Sequence, residues 1–430
     1  MRLRRRWQAS FSAMGCTIIE KIIRSHTADE VAPGKVVWMD LDIRSARDFG
    51  GANVVKNMER EYPGENVADN TRTFFTFDCV VPAKNIPYAN NQQICRDFAK
   101  AQAIRVFDVD MGIGSHVLME QGLVLPGLIA VGTDSHMNIL GAIGAFGQGM
   151  GDQDIAFAFK TGRTWFEVPE TVRVDIDGEF LPPTSGKDLT LAVLKVLRTE
   201  KALGKCIEFY GEAVDGLSLC GRITLASMAT EMGAIAAMIP PSDEVAVFCS
   251  RRSGGKEFSI VSADDDARYV ERIRIGIHNL EPQVSLPGRP DNVKPVAEVG
   301  GTKIDSVFFG SCTNGRFEDF LAAAEILKSR KVAPGVMAKA VPATREVYGQ
   351  LLQNGVLRTL FDAGVIVSNA GCGGCASGQI GMTGRGELQI STSNRNFAGK
   401  QGAGDTYLAS PATAAASAVT GEITDPRELT

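Results

Sequence analysis

The sequence predicts an α/β fold, with parallel sheets covered by helices and shared among two or three domains. Three observations carry this. Strand and helix patterns follow one another along the chain, as expected of repeated β–α–β units. The chain has 430 residues, more than a single hydrophobic core organises. Residues 287–301, rich in Pro, Gly and Val, read as a linker, and the pattern restarts after them with a strand and a helix.

Taken in order, residues 14–23 read as the start of a short helix and 36–39 as a strand. Helical spacing over 92–102 leads into a strand at 104–109. The apolar residues 128–131 form a buried strand that runs into Gly132-Thr133-Asp134-Ser135-His136. A glycine-rich stretch at 141–151 precedes a helix at 152–161. Then come a strand at 171–176, a helix at 189–197 and a second helix, rich in Ala and Met, at 227–239. Beyond the linker lie a strand at 306–309, a loop at 310–314 and a helix at 317–329. No repeat of 20 to 50 residues occurs.

Composition excludes several classes of function. Hydrophobic residues make up 44% and charged residues 22%, the balance of a soluble globular protein. A net charge of -5 argues against nucleic-acid binding as the main role. The longest apolar run, 123–131, is broken by Pro126 and is far too short to span a bilayer. A cytoplasmic protein without a membrane partner is therefore expected. Residues 1–12 hold four Arg and no acid. They read as a targeting arm or as sequence ahead of a true start at Met14, and they lack the apolar core of a secretory signal.

The nine cysteines form no disulfide framework. Cys95, Cys206, Cys220 and Cys249 lie in apolar or mixed surroundings and read as core residues. Three others stand in loops. Cys312 falls between a strand and a helix in Gly310-Ser311-Cys312-Thr313-Asn314-Gly315-Arg316, and Cys372 and Cys375 form Cys-x-x-Cys in Gly371-Cys372-Gly373-Gly374-Cys375. The glycines let the backbone wrap a ligand and aim N–H groups at sulfur. Three thiolates without an evident fourth suit a [4Fe–4S] cluster with one iron left open. A redox pair and a zinc site with a distant fourth ligand are the alternatives, although zinc usually takes four ligands in paired clusters.

Other groups gather around this chemistry. Asp134, Ser135 and His136 follow a buried strand, where α/β folds place ligands, and a capped helix start is the plainer reading. Glu231 lies in an Ala/Met-rich segment, where a lone acid is usually solvated. Ser391-Thr392-Ser393-Asn394-Arg395-Asn396-Phe397, with Lys400 beyond, packs hydroxyls, amides and cations into ten residues, as a carboxylate clamp would. The glycines of 144–151 do not make a dinucleotide fingerprint, because strand, Gly-x-Gly-x-x-Gly and helix do not follow in that order.

Five motifs in order, at 131–151, 230–234, 310–316, 372–375 and 391–399, resemble those of aconitase-superfamily large subunits, above all the 3-isopropylmalate dehydratase group. The resemblance extends from about Met14 to Pro426. It implies three α/β/α domains (1–170, 171–287 and 288–430) around a central cluster, with Cys312, Cys372 and Cys375 as its ligands. His136 would pair with Glu231 near the leaving hydroxyl, with Asp134 and Asp78 as further catalytic groups. Ser135, Arg395, Lys400, Asn314 and His116 would bind substrate. The implied reaction interconverts 3- and 2-isopropylmalate by loss and regain of water. Dehydration of 2,3-dimethylmalate or homoaconitate is the alternative, and a cluster-holding or sensing subunit without activity is a further one. The implied partner is a small subunit bearing the swivel domain, which this chain would lack, and its base.

The chain departs from the family pattern at three places. Asp78-Cys79 stands where Asp-His is usual, Ser115 occupies the place of a histidine with His116 one position late, and Lys400 replaces an Arg. These changes bear on which hydroxydiacid is accepted.

Overall fold

The computed structural model describes residues 15–376 and 380–429. Met14 and the arginine-rich segment before it lie outside the described residues. Three parallel sheets dominate. The first has five strands in the spatial order Arg105–Phe107, Thr73–Thr76, Ile43–Arg47, Ile129–Gly132, Phe146–Gly149, all parallel. The second has four, Ala236–Met238, Cys206–Tyr210, Thr171–Asp177 and Glu271–Gly276, also all parallel. The third has seven, in the order Val293–Pro295, Gln283–Ser285, Asp405–Ala409, Leu388–Ser391, Ser306–Gly310, Met337–Val341, Ile366–Val367. Only Gln283–Ser285 pairs antiparallel with its neighbours there. A separate antiparallel ribbon joins Val36–Asp40 to Arg163–Glu167.

The α/β prediction therefore holds, and the reasons are local. Helix Ile18–Arg24 starts at Thr17 with a reciprocal capping box to Glu20. Helix Ile86–Gln102 is capped by Asn85, carries Pro in its first turn and begins earlier than its apolar spacing suggested. One buried cluster runs from Ile43 and Phe74 through Leu140, Val174 and Leu189 to Cys312 and Cys372, so the sheets share a core. Cys95, Cys206, Cys220 and Cys249 are buried in the core, as their surroundings predicted. Among the described residues, no helix is long and apolar enough to cross a membrane.

Three segments differ from the sequence reading. The helix expected at 227–239 ends at Met228, and Ala236–Met238 is a strand beside Cys206–Tyr210. Gly233, at φ +79°, turns the chain between them, while Ala and Met suit a buried strand as well as a buried helix. The linker at 287–301 contains Val293–Pro295, an edge strand of the third sheet, where a proline costs no ladder bond. Strand Ile43–Arg47 was not foreseen. Its Ile-Arg-Ser-Ala-Arg has no apolar run, yet it is central in its sheet, and Arg44 is buried there by donating to Leu41 O, Asp69 O and Thr73 Oγ1.

Candidate active site

Strand order decides where the chemistry sits. In the first sheet the chain leaves strand Ile43–Arg47 toward one edge and returns to its other side at Ile129–Gly132. In the third sheet it does the same around Ser306–Gly310, returning at Leu388–Ser391. A crevice opens at the carboxyl ends of strands at such a switch point. Arg47, Thr133 and Asp134 stand at the first crevice, and Ser311, Cys312 and Asn394 at the second. Side-chain contacts join the two: Asn394 reaches His136, and Arg47 reaches Cys372.

The three loop cysteines come together. The Asn394 amide spans two of them, with Nδ2 3.4 Å from Cys312 Sγ and Oδ1 3.3 Å from Cys375 Sγ. Arg47 Nη2 lies 2.6 Å from Cys372 Sγ, and Ser227 Oγ 3.8 Å from Cys312 Sγ. Ser311, before Cys312, holds the left-handed conformation at φ +79°, a strain that functional loops tolerate when their surroundings fix it. A Cβ on Gly373 would fall 2.7 Å from the Phe308 ring, so the Cys-x-x-Cys loop seats its backbone directly on the sheet. Three gathered sulfurs, of which Cys372 receives the Arg47 N–H and Cys312 the Asn394 N–H while Cys375 donates to the Asn394 oxygen, fit an iron–sulfur cluster. Cys79 is a fourth sulfur nearby, hydrogen-bonded to Cys372. Its thiol donates to Asp78 Oδ1 at 3.2 Å, and burial together with the Cys372 contact pushes its ionisation far up, so it stays a neutral thiol.

The acids surround these sulfurs. Glu231 is buried, with Oε1 3.0 Å from His136 Nε2 and 2.7 Å from Arg395 Nε. Burial raises its carboxyl pKa, but His136 and Arg395 outweigh that and hold it below the usual range. Its Oε2 is buried and has no hydrogen-bond partner among the described residues, as expected of a group facing a ligand. Asn394 Nδ2 also lies 2.8 Å from His136 Nε2. That nitrogen can donate to Glu231 or accept from Asn394, but not both at once. Asp134 receives Arg47 Nη1 and the His136 N–H, both at 3.0 Å, and Arg47 leads the charges that lower its pKa against burial. Asp78 is fully enclosed, and burial pushes it up to about 6 despite Arg47.

A family model described as the aconitase family (aconitate hydratase) matches residues 20–302 and 294–421. The chain belongs to the aconitase family. It is 43% identical over 417 residues to the 3-isopropylmalate dehydratase large subunit 1 of Methanopyrus kandleri, which spans 96% of this chain and 99% of that protein. It is also 43% identical over 420 residues to a probable 3-isopropylmalate dehydratase large subunit of Methanothermobacter thermautotrophicus, covering 97% and 100%. The large subunit from Sulfurihydrogenibium sp. is 41% identical over 421 residues, with 97% of each chain covered.

In this aconitase-family chain the expected site residues differ in how they are placed. Asp78, Asp134, His136, Glu231, Arg395 and the three cysteines form one connected network. Lys400, half-buried, and Arg395 both act on Cys375, against the burial that raises its thiol. Ser135 is exposed, and its carbonyl accepts from Thr230 Oγ1 at 3.3 Å. Two further residues make contacts around the Cys312 loop. His116 is buried behind the cysteine loop, with Nε2 2.8 Å from the Cys312 carbonyl and Nδ1 3.5 Å from Arg316; burial, then Arg316, lowers its pKa to about 3. Asn314 donates to Asp319 Oδ1 at 2.8 Å and to Thr224 Oγ1 at 3.2 Å. Ser115, at the histidine's usual place, has its hydroxyl 3.5 Å from Asp134 Oδ2.

Two residues at the site were not foreseen. Arg47 closes an unexpected strand. Lys187, in the first turn of helix Gly186–Leu197, is buried and donates to the carbonyls of Thr392 at 3.0 Å and Ser393 at 2.7 Å. Burial lowers its ammonium to about 8. A lone Lys after Ser185-Gly186 carries no sequence sign of burial, though Ser185 and Asp188 do signal a helix start.

Proposed function

We propose that this chain is the cluster-bearing large subunit of a cytoplasmic hydro-lyase that interconverts 3- and 2-isopropylmalate with a small subunit carrying the swivel domain. The observation that carries the reading is the convergence of Cys312, Cys372 and Cys375 with the His136–Glu231–Arg395 group. The near-full-length likeness to proteins named 3-isopropylmalate dehydratase large subunit supports the substrate and the two-subunit assembly.

Cys312, Cys372 and Cys375 would hold a [4Fe–4S] cluster. When bound, it supplies an iron with an open position, a Lewis acid for the substrate C–O bond. The protein's own groups do the rest. Glu231 keeps a proton on His136 Nε2, leaving Nδ1 to exchange a proton with the departing or returning hydroxyl oxygen. Arg395, oriented by Glu231, and Lys400 supply positive charge for a substrate carboxylate. The base that takes the proton next to a carboxylate belongs to the small subunit.

The test is anaerobic reconstitution with the small subunit and an absorbance assay at the alkene band. Isopropylmalate, 2,3-dimethylmalate and homoaconitate would be offered. Turnover of isopropylmalate with the highest specificity constant supports the reading. A cluster-loaded pair that turns over none of the three overturns it.

A further inference from the structure

Arg47 makes three directed contacts with its three nitrogens. Nε donates to Asp78 Oδ1 at 2.7 Å, Nη1 to Asp134 Oδ1 at 3.0 Å, and Nη2 points at Cys372 Sγ at 2.6 Å. The Cys372 backbone N–H donates to the Asp78 carbonyl at 2.9 Å, so Arg47, Asp78 and Cys372 close a ring. Arg47 and Cys372 lie 325 residues apart, one in the first sheet and one in the loop after the third sheet's edge strand. The Arg47 side chain is only 14% exposed. Burying a guanidinium costs several kcal/mol unless it is paired, and the two aspartates supply that pairing. The third arm is left for sulfur.

We propose that Arg47 is a positioning residue for the cluster. Its Nη2–H donates to the Cys372 thiolate, fixing that sulfur before loading and drawing charge from it afterwards. The inference rests on the reading of Cys312, Cys372 and Cys375 as cluster ligands. A hydrogen bond to a ligating sulfur is a recognised lever on cluster potential. Withdrawing negative charge from sulfur favours the reduced cluster, so losing the donor lowers the potential. Arg serves this place and Lys does not, because only a planar fork meets two carboxylates and a sulfur from fixed directions.

The experiment compares wild type, Arg47→Met and Arg47→Lys after anaerobic reconstitution. Three quantities are read: iron and sulfide per chain, midpoint potential by spectroscopically monitored titration, and the rate of iron loss to a chelator. Both variants are expected to show a more negative potential and about tenfold faster iron loss, as for other lost outer-sphere partners. Wild-type potential and iron loss in folded Arg47→Met overturn the proposal. If that variant does not fold, Arg47→Lys decides on the same two readouts. A wild-type chain that takes up no iron–sulfur cluster overturns the ligand reading itself, an outcome separate from any effect of Arg47.

Discussion

His136 Nε2 lies 3.0 Å from Glu231 Oε1, and both side chains are at least 95% buried, although 95 residues separate them. The carboxylate is shared with Arg395 Nε at 2.7 Å, so one buried anion orients an imidazole and a guanidinium together. Glu231→Gln keeps the shape and removes the charge. We expect turnover to fall about hundredfold, the scale of a lost proton-transfer arrangement, with KM changing much less. Steady-state kinetics on variants of equal cluster content check this, and an unchanged turnover would reduce Glu231 to a structural acid.

Lys187 tests whether a buried ammonium can act on the site through the backbone. Its Nζ holds the carbonyls of Thr392 and Ser393, next to Asn394 and Arg395. Lys187→Met keeps the volume and leaves two buried carbonyls short of a donor, at about 1–3 kcal/mol each, partly offset because a buried charge disappears. The expected result is a small change in melting temperature with a drop in turnover of about tenfold to hundredfold from misplaced site groups. A proportionate loss of stability and activity would point to general destabilisation instead.

We expect Lys400 to bear on specificity. It acts on Cys375 alongside Arg395 and offers a point charge on a flexible stem where a fork is usual. Lys400→Arg is expected to shift the ratio of specificity constants for 3-isopropylmalate and 2,3-dimethylmalate by more than about tenfold, or about 1.4 kcal/mol. An unchanged ratio would make the lysine a neutral replacement.

A pH prediction comes from His26, remote from the site. Its Nε2 lies 2.7 Å from Asp42 Oδ2 and its Nδ1 2.8 Å from the Ile22 carbonyl. Two acceptors require both ring nitrogens to be protonated. Burial opposes the cation, but the Asp42 and Ile22 bonds prevail, and its pKa rises above 6.5. A raised folded-state pKa means the stabilisation is fully present below 6.5 and is lost as pH rises through the folded value. His26→Gln should therefore cost about 1 kcal/mol near pH 6 and much less near pH 9. Melting temperatures of both proteins at the two pH values measure this, and a gap that does not narrow contradicts it.

The chain alone disclosed the α/β class, the three loop cysteines and the groups flanking them, because each is a local pattern. Glycines beside Cys312, Cys372 and Cys375, and Asp134-Ser135-His136 after an apolar strand, are visible within a few residues. Tertiary structure decided which groups meet. Arg47 lies in a strand with no apolar run, and its partners Asp134 and Cys372 are 87 and 325 residues away. Lys187 reaches carbonyls more than 200 residues on. His116 meets the Cys312 carbonyl 196 residues away. The reason is topological. Periodicity reports which face of an element is buried, whereas the switch points of two sheets bring distant strand ends to one crevice, and no local pattern encodes that meeting.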